Sequence, residues 1–434
     1  MFSSQKVFRL STAFLLLTLM TIFAESATAQ NNKLSLGANA GNFVSSTRTG
    51  SMTAAQINGR LKTVFGVNAP SPATESVDLY KISYRSADEN NRAVNLSGLI
   101  ALPRGGAPKG LVVFNHGVIA DRRTSPSRFT GKAETSETEL AILAFASGGY
   151  AVALPDYLGL GDHQGAHPFP LGAVNSRSAI DIIAPARSLA SRQKTAVGAR
   201  LFISGYSEGG AIGMWTVRNL ERKSGADTEV AAAALMSGPY DISGVTRNSL
   251  IAPTDDQTKF VTRLYLIAYM VNYFHRSKGF KLTDYFKPSM ALTVSQAFKG
   301  VRSDKNIIKR LALAAVLMRS KNSIDNVITA RFKRAIETFD ASDPVIRELQ
   351  KHDVYDWSPR TKMLLVNVKK DIVADPANTD KAMETMRRRG VGANSLRQLV
   401  LKDENLTHIT GTAPALAQAR RFFDEGFTGL RDAP

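Results

Sequence analysis

A serine flanked by glycines stands near the middle of the chain. Ser207 belongs to the run Gly205-Tyr206-Ser207-Glu208-Gly209. The apolar residues 201–203 before it predict a buried strand, and residues 208–220 after it predict a helix. A serine on a sharp strand-to-helix turn is the geometry of an activated nucleophile, and small glycines allow that turn. A glycine-containing turn that matches by chance is the alternative, which the flanking strand and helix disfavour.

A serine hydroxyl needs a base that takes its proton and an acid that orients the base. Among the six histidines of the chain, His408 lies between the last predicted strand and the last predicted helix. Asp371 directly follows the predicted strand 362–368. Both are expected at the carboxyl edge of the sheet with Ser207, in the chain order that such a triad requires. We therefore predict Ser207, Asp371 and His408 as catalytic residues.

Three other carboxylates are rival acids for this role. Asp375 lies further along the loop that begins at Asp371, whereas Asp403 and Glu404 are close to His408 in sequence. The position of Asp371 immediately after a strand favours it. A simple loop histidine is the alternative interpretation of His408.

An oxyanion needs two backbone N–H donors. The residue after the nucleophile, Glu208, supplies the first in our interpretation. The second is assigned to Val118, in the loop that follows the predicted strand 110–114, where Gly117 allows the backbone to approach a ligand. His116 is either a support of this loop or an ordinary structural histidine.

The substrate pocket is expected to involve residues on three loops at this edge of the sheet. These residues are His116, Gly117, Asp156, Tyr157 and Tyr206.

The loop 156–163 contains residue types that also bind metal ions. Asp156, Asp162, His163 and the nearby His167 are the candidates. Glycines 159 and 161 mark a tight loop, and such short-range groups seldom enclose an ion, so shaping of the pocket is the favoured role. We predict neither a metal nor a cofactor.

Short apolar runs alternate with helical periodicity along most of the chain. The predicted strands span residues 77–84, 93–102, 110–114, 150–154, 201–203, 230–235, 362–368 and 396–401, and the helices between them span 136–147, 178–191, 208–220, 377–389 and 414–425. This alternation predicts an α/β fold with a mainly parallel sheet and helices on both faces. The first two strands are expected to form an antiparallel hairpin at the edge of the sheet.

Residues 242–357, called the cap below, break this alternation. They contain no strand-like run and three helical stretches, residues 259–275, 306–318 and 325–338. The segment is too long for a plain loop. We predict a helical cap inserted between a first core part, residues 76–241, and a second core part, residues 358–434.

The N-terminal residues resemble an export signal. Lys6 and Arg9 precede an apolar run over residues 13–24 and the sequence Ala27-Thr28-Ala29. This pattern predicts a signal peptide over residues 1–29 and a periplasmic or extracellular protein. Residues 30–75 are expected to form a loosely attached leader with one amphipathic helix. The chain has no cysteine, so cysteine content says nothing about the compartment.

The chain is strongly basic, with a formal net charge of +18. The cations are scattered, and the densest cluster, residues 387–389, ends a predicted helix, where it complements the helix dipole. We therefore predict no nucleic-acid partner. Attraction to an anionic surface or a membrane interface is an expectation that the charge supports.

Several of these motifs together resemble the α/β-hydrolase superfamily, in particular bacterial secretory lipases and esterases with a helical cap. The matching segments are residues 115–117, 155–162, 167–168, 205–210 and 355–359, followed by Asp371, residues 376–379 and His408. The resemblance implies the triad named above and carboxylester hydrolysis under a cap. The chain departs from the family pattern at residues 367–370 and at Asp375, where His-Gly and proline are usual.

The sequence as a whole predicts an exported serine hydrolase that acts on small-molecule or lipid esters. Two alternatives remain open at this point. A serine peptidase or amidase would use the same triad, and a catalytically silent member of the fold would serve as a binding module.

Overall fold

The computed structural model describes residues 41–223, 229–320 and 322–431. The predicted signal peptide and the start of the predicted leader lie outside the described residues. Among the helices that are described, none has both the length and the apolar content that a bilayer crossing requires.

A sheet of nine strands forms the centre of the described chain. The strands are β1 (Phe43–Met52), β2 (Val77–Ala87), β3 (Ala93–Pro103), β4 (Leu111–Asn115), β5 (Ala151–Pro155), β6 (Leu201–Tyr206), β7 (Val230–Met236), β8 (Met363–Val368) and β9 (Leu396–Leu401). Their order across the sheet is β1-β2-β3-β5-β4-β6-β7-β8-β9. The strands from β5 to β9 in that order pair in parallel, and β1, β2 and β3 are antiparallel. The predicted mainly parallel α/β sheet is confirmed.

Helices lie before, between and after the strands. They are α1 (Ala54–Phe65), α2 (Glu137–Phe145), α3 (Gly172–Asp181), α4 (Ile183–Arg192), α5 (Glu208–Arg222), α6 (Arg247–Ile251), α7 (Gln257–Lys278), α8 (Pro288–Ala297), α9 (Asp304–Leu317), α10 (Ala330–Thr338), α11 (Pro344–Gln350), α12 (Ala377–Arg388) and α13 (Thr412–Glu425). Helices α1, α2 and α13 share one hydrophobic cluster with the sheet, whereas α3, α4, α5 and α12 share another. Successive residues of β4 alternate between the two clusters, because neighbouring side chains of a strand point to opposite faces. Helices thus cover both faces.

The predicted leader is attached more firmly than we expected. Strand β1 pairs with β2 along most of its length and forms the edge of the sheet, so the hairpin of β2 and β3 is not at the edge. Helix α1 begins with a capping box between Thr53 and Gln56 and buries Ile57, Leu61 and Phe65. Its apolar face therefore packs on the core as predicted.

One predicted helix is two helices in the structure. The stretch 178–191 belongs to α3 and α4, and the helical hydrogen bonds are interrupted near Ile182. Pro185 explains the break, because it has no N–H for the carbonyl of Asp181 and its ring crowds that carbonyl.

The cap consists of helices, and its own hydrophobic cluster is built around α7. Within its described residues, the only β pairing is an isolated bridge between Phe286 and Ile328. Three short helices, α6, α8 and α11, were not predicted. The predicted helix 325–338 begins later, because Thr329 caps α10 by accepting from the N–H of Phe332.

Candidate active site

Ser207 occupies the turn between β6 and α5. Its φ of 58° lies in the left-handed region, which is strained for a residue with a side chain. A Cβ on Gly205 would lie 2.1 Å from the carbonyl oxygen of Gly209, and a Cβ on Gly209 would lie 1.9 Å from that of Asn115. Both distances are far inside van der Waals contact. The turn therefore requires glycine at both positions, which confirms the reason predicted for them.

His408 joins Ser207 to Asp371 by hydrogen bonds. Its Nε2 lies 2.8 Å from Oγ of Ser207, and its Nδ1 lies 2.6 Å from Oδ2 of Asp371. A carboxylate only accepts, so Nδ1–H donates to Asp371 and Nε2 accepts from the hydroxyl of Ser207. All three residues are buried. A hydroxyl held in this way can pass its proton to the imidazole as its oxygen attacks an electrophile.

Backbone and hydroxyl donors fix the positions of the acid and the base. Oδ1 of Asp371 accepts from the N–H groups of Val373 and Ala374, both at 2.9 Å. The carbonyl oxygen of His408 accepts from the hydroxyl of Tyr206 at 2.5 Å. The contact between the three side chains is thus held by the protein itself.

Among the rival acids, Glu404 forms ion pairs with two lysines. Lys369 lies 2.6 Å from Glu404 Oε1, and Lys370 also forms an ion pair with this carboxylate. The two cations that depart from the family pattern therefore point to Glu404 and not to Asp371.

The other two rivals accept hydrogen bonds from their own loops. Oδ1 of Asp375 accepts from the N–H of Ala377, and Oδ1 of Asp403 accepts from the N–H of Asn405. Of the four carboxylates considered from the sequence, the structure brings Asp371 into contact with His408.

The loop after β4 lies directly against the nucleophile. A Cβ on Gly117 would lie 3.1 Å from Cβ of Ser207, so the peptide that contains the N–H of Val118 adjoins the serine. The N–H of Gly117 donates to Oε2 of Glu137 at 2.8 Å. This carboxylate therefore holds the loop that we predict to supply an oxyanion donor.

Glu137 is a site residue that sequence reasoning missed. It is the first residue of α2, and burial raises the pKa of its carboxyl to about 7, against the opposing effects of the Gly117 N–H and of His408. A helix that follows a parallel strand begins at the carboxyl edge of the sheet. That rule, applied to the predicted helix 136–147, is the signal that could have found it.

A second buried pair lies beneath the start of α5. Nδ1 of His167 lies 3.0 Å from the carbonyl oxygen of Leu158, and Nε2 lies 3.0 Å from Oε1 of Glu208. A carbonyl oxygen only accepts, so Nδ1 carries a proton. The contact with Glu208 then needs a second proton, on the imidazole or on the carboxyl. The side chain of Glu208 is engaged here, so the role predicted above concerns its backbone N–H and not its carboxylate.

His116 and Tyr157 support each other beneath the same loop. Their rings stack with centroids 4.2 Å apart, and the Tyr157 hydroxyl donates to the carbonyl oxygen of His116. Burial lowers the pKa of His116 to about 4, so its imidazole is neutral. Nδ1 of His116 donates to the carbonyl oxygen of Gly117 at 2.7 Å. Of the two interpretations of His116, these contacts favour support of the loop.

Asp156 also serves the loops and is fully buried. Its carboxylate accepts from the hydroxyl of Ser97 at 2.6 Å and from the N–H of Ser127 at 2.8 Å. Tyr206 donates to the carbonyl of His408. The five residues predicted to contact the substrate thus make contacts that support the catalytic residues and their loops. Within the described part of the chain, the lining of the pocket beside Ser207 contains none of them. This placement differs from the predicted one.

The residues considered for a metal are engaged in protein contacts. Asp162 forms ion pairs with Lys81 and Arg128, and Nδ1 of His163 accepts from the N–H of Gly159. Among the residues that the structure describes, no group of His, Asp and Glu could hold a metal ion.

An apolar pocket extends from Ser207 into the cap. Its polar lining residues are Ser207, Glu208, Thr246 and Arg247. The remaining lining is apolar and comprises Val118, Phe169, Pro170, Pro239, Ile242, Leu250, Ile251, Leu266, Ile267, Met270, Ile336, Ile346, Leu349, Val373 and Ala374. Most of these residues belong to the cap, so the cap covers the nucleophile with an apolar surface.

Several solved structures are similar to this chain. A candidate hydrolase from Legionella pneumophila has 22% sequence identity and a TM-score of 0.75, over 88% of this chain and 98% of its own. The rice cell wall degrading esterase LipA from Xanthomonas oryzae has 22% identity and a TM-score of 0.73, over 90% of this chain and 100% of its own. Candida antarctica lipase A in its closed state has 14% identity and a TM-score of 0.59, over 92% of this chain and 86% of its own. No family model and no curated protein matches the sequence. The similarities show that the chain has the α/β-hydrolase fold.

Proposed function

We propose that this chain is a serine hydrolase that cleaves carboxylic esters through a covalent acyl-enzyme. The observation that carries the proposal is the unbroken hydrogen-bonded series from Ser207 through His408 to Asp371. The descriptions of the similar structures as esterase and lipase favour esters as the substrate class.

In the first half of the reaction, Oγ of Ser207 attacks the ester carbonyl carbon while Nε2 of His408 takes the hydroxyl proton. The C–O bond to the alcohol then breaks, and the imidazolium returns its proton to the leaving alkoxide. Water repeats the attack on the acyl-enzyme with the same base, and releases the acid. Asp371 stabilises the imidazolium and keeps its ring in the productive tautomer.

The N–H groups of Glu208 and Val118 are proposed to hold the developing oxyanion. Glu208 begins α5, so its N–H belongs to the unsatisfied first turn of a helix. Glu137 supports the second donor, because it fixes the peptide before Val118 through Gly117. Losing one such donor costs roughly 100- to 1000-fold in rate in other acyl-transfer enzymes.

The apolar pocket is proposed to receive the acyl part of the ester. Its lining is mostly apolar and suits an acyl chain. Its two charged residues are Arg247 and Glu208, and the carboxylate of Glu208 is already in contact with His167. Water leaves such a surface readily, so a bound chain would also exclude water from the acyl-enzyme.

Labelling with a fluorophosphonate tests the nucleophile directly. We expect one adduct, located on Ser207 by peptide mass analysis, and no adduct in Ser207→Ala. An unlabelled but folded protein would instead support a binding module without catalysis. For the labelled protein, nitrophenyl esters of increasing acyl length are compared with peptide anilides. Faster turnover of the anilides would replace the ester assignment by a peptidase or amidase.

Export through the N-terminal residues 1–29 is part of the proposal and rests on the sequence alone. Expression of the full chain with N-terminal sequencing of the exported product tests it. We expect the product to begin at Gln30. Retention of Met1 in a cytoplasmic product would contradict it.

A further inference from the structure

Helices α8 and α9 expose apolar side chains that nothing in the described chain covers. Leu292 on α8 is 60% exposed, and Leu313, Val316 and Leu317 on α9 are 62%, 67% and 76% exposed. These four are half of the large apolar residues that stand exposed on the described part of the protein. Such clustering marks an interaction surface, whereas single exposed leucines need no explanation. We call residues 288–319, which comprise α8, α9, the segment that joins them and the two residues after α9, the cap hairpin.

The two sides of α9 have opposite character. Ile307, Leu311 and Ala315 recur every four residues and are buried in the cap. The opposite row, Lys305, Lys309, Leu313 and Leu317, has the same spacing and is exposed. Residues four apart lie on one face of a helix, so this row carries cations at its start and leucines at its end. The exposed row of α9 is therefore cationic at its N-terminal end and apolar at its C-terminal end.

The charged side chains on the outer side of the cap hairpin are all positive. Residues 288–319 contain six basic residues, Lys299, Arg302, Lys305, Lys309, Arg310 and Arg319, and one acidic residue, Asp304. The carboxylate of Asp304 faces inward, where it accepts from the N–H of Ala120 at 3.0 Å and from the hydroxyl of Tyr265 at 2.5 Å. It is thus not available to neutralise the exposed cations.

We infer that the cap hairpin is a docking surface for an anionic lipid bilayer. A bilayer interface offers what this surface lacks: anionic headgroups for the cations and a hydrocarbon boundary for the leucines. A second copy of the chain would satisfy the leucines but would bring two sets of like charges together. A nucleic acid would satisfy the cations but would leave the leucines in water.

The position of the cap hairpin links this surface to the catalytic edge. Asp304 holds the N–H of Ala120, and the carbonyl of Gly300 accepts from the N–H of Arg122. Both partners lie in the loop that begins with Gly117 and Val118. A membrane bound to the cap hairpin would therefore lie beside the loop whose first residues adjoin Ser207.

Vesicle binding of the full chain tests the inference without reference to catalysis. The probes are vesicles of phosphatidylcholine alone and vesicles with 30% phosphatidylglycerol. The charge variant is Lys305→Glu/Lys309→Glu/Arg310→Glu, and its matched control is Lys62→Glu/Lys132→Glu/Lys194→Glu, three exposed lysines outside the cap with the same change in net charge. Every variant carries the same N-terminal residues, so these cannot produce a difference between variants.

We expect the wild type to bind the anionic vesicles at low salt and to be released as salt rises. Each cation near an anionic surface contributes about fivefold in affinity, so the charge variant should bind about a hundredfold more weakly. The control triple should lose much less. Leu313→Gln/Leu317→Gln should weaken binding about tenfold, since it removes the apolar part of the contact.

Three results would overturn the inference. The first is equal vesicle binding by the wild type and the charge variant. The second is an equal loss in the charge variant and its control, which would reduce the effect to overall charge. The third is a dimer in sedimentation that Leu313→Gln/Leu317→Gln dissolves, which would make a second copy the occupant. Hydrolysis of a soluble short-chain ester should be unchanged in all variants, which shows that they are folded.

Discussion

The catalytic edge of the sheet and the cap are built on different principles. At the edge, Ser207, His408 and Asp371 are held by directional hydrogen bonds between buried polar groups. In the cap, the pocket wall consists of apolar side chains whose contacts have no preferred direction. The difference teaches which property each region would control in the proposed reaction: the edge would decide whether a bond is broken, and the cap would decide which acyl group is held there.

Removal of the nucleophile should give the largest effect and should not depend on the substrate. We expect Ser207→Ala to lower kcat by about a million-fold, because residues of a triad act as a unit. The same factor should apply to short and long acyl esters, measured with nitrophenyl esters. The melting temperature should change little, since alanine keeps the turn. A loss that varied strongly with acyl length would contradict the division between edge and cap.

The orienting acid should come next. We expect Asp371→Asn to lower kcat by about 10⁴-fold, because an amide no longer favours the productive histidine tautomer. Asp403→Asn is the matched control, since it makes the same change at a rival carboxylate of the neighbouring loop. It should stay within about threefold of the wild type. A larger loss in the control than in Asp371→Asn would assign the role to Asp403.

The sequence predicted the catalytic edge better than the cap for a physical reason. Parallel strands bring their carboxyl ends to one edge, so Ser207, Asp371 and His408 could be grouped from strand order alone. The strand β1 escaped prediction because it pairs through its backbone and its side chains are mostly exposed, which leaves no apolar alternation.

In the cap, two prolines indicate helix starts that the prediction from the sequence did not include. Pro288 and Pro344 stand in the first turn of α8 and α11, a position that suits a residue without an N–H. The contacts Gly117–Glu137 and His167–Glu208 could not be derived from spacing, because loops of irregular shape bring these groups together. Sequence patterns report periodic elements, and each of these contacts joins the first residue of a helix to a loop that has no periodic pattern.

A change in the cap pocket should redistribute activity among substrates and leave the chemistry intact. Leu250 lines the pocket and is not fully buried, so Leu250→Trp can narrow the pocket without disrupting a core. If the indole displaces two methylenes of a bound chain, at about 0.8 kcal/mol each, kcat/KM for long acyl esters falls by about 15-fold. Acetyl esters should be little affected. Leu313→Trp, the same change on the outer side of the cap, should not alter the chain-length profile.

The smallest effect concerns Glu137, which lies at the catalytic edge, where it accepts from the N–H of Gly117 and interacts by charge with His408. Its pKa of about 7 means that it ionises across neutral pH, and the ionised carboxylate is the better acceptor for Gly117 and the better neighbour for a cationic His408. The wild-type kcat/KM should therefore rise with pH as Glu137 ionises near pH 7. Glu137→Gln keeps an acceptor oxygen but cannot ionise. We expect Glu137→Gln to have about fivefold lower kcat/KM above pH 8 and to lack the matching fivefold rise that the wild type shows through about pH 7.

The same carboxyl should act on stability with a sign that follows from its raised pKa. Its folded pKa lies above the ordinary value of 4.5, so its contribution is fully present below pH 4.5 and is lost as pH rises through about 7. Denaturant unfolding of the wild type should therefore show a decline across this range that Glu137→Gln removes. A variant that kept both the fivefold rise of kcat/KM and this decline would mean that another group titrates there, and the link from Glu137 to the loop beside Ser207 would be only structural.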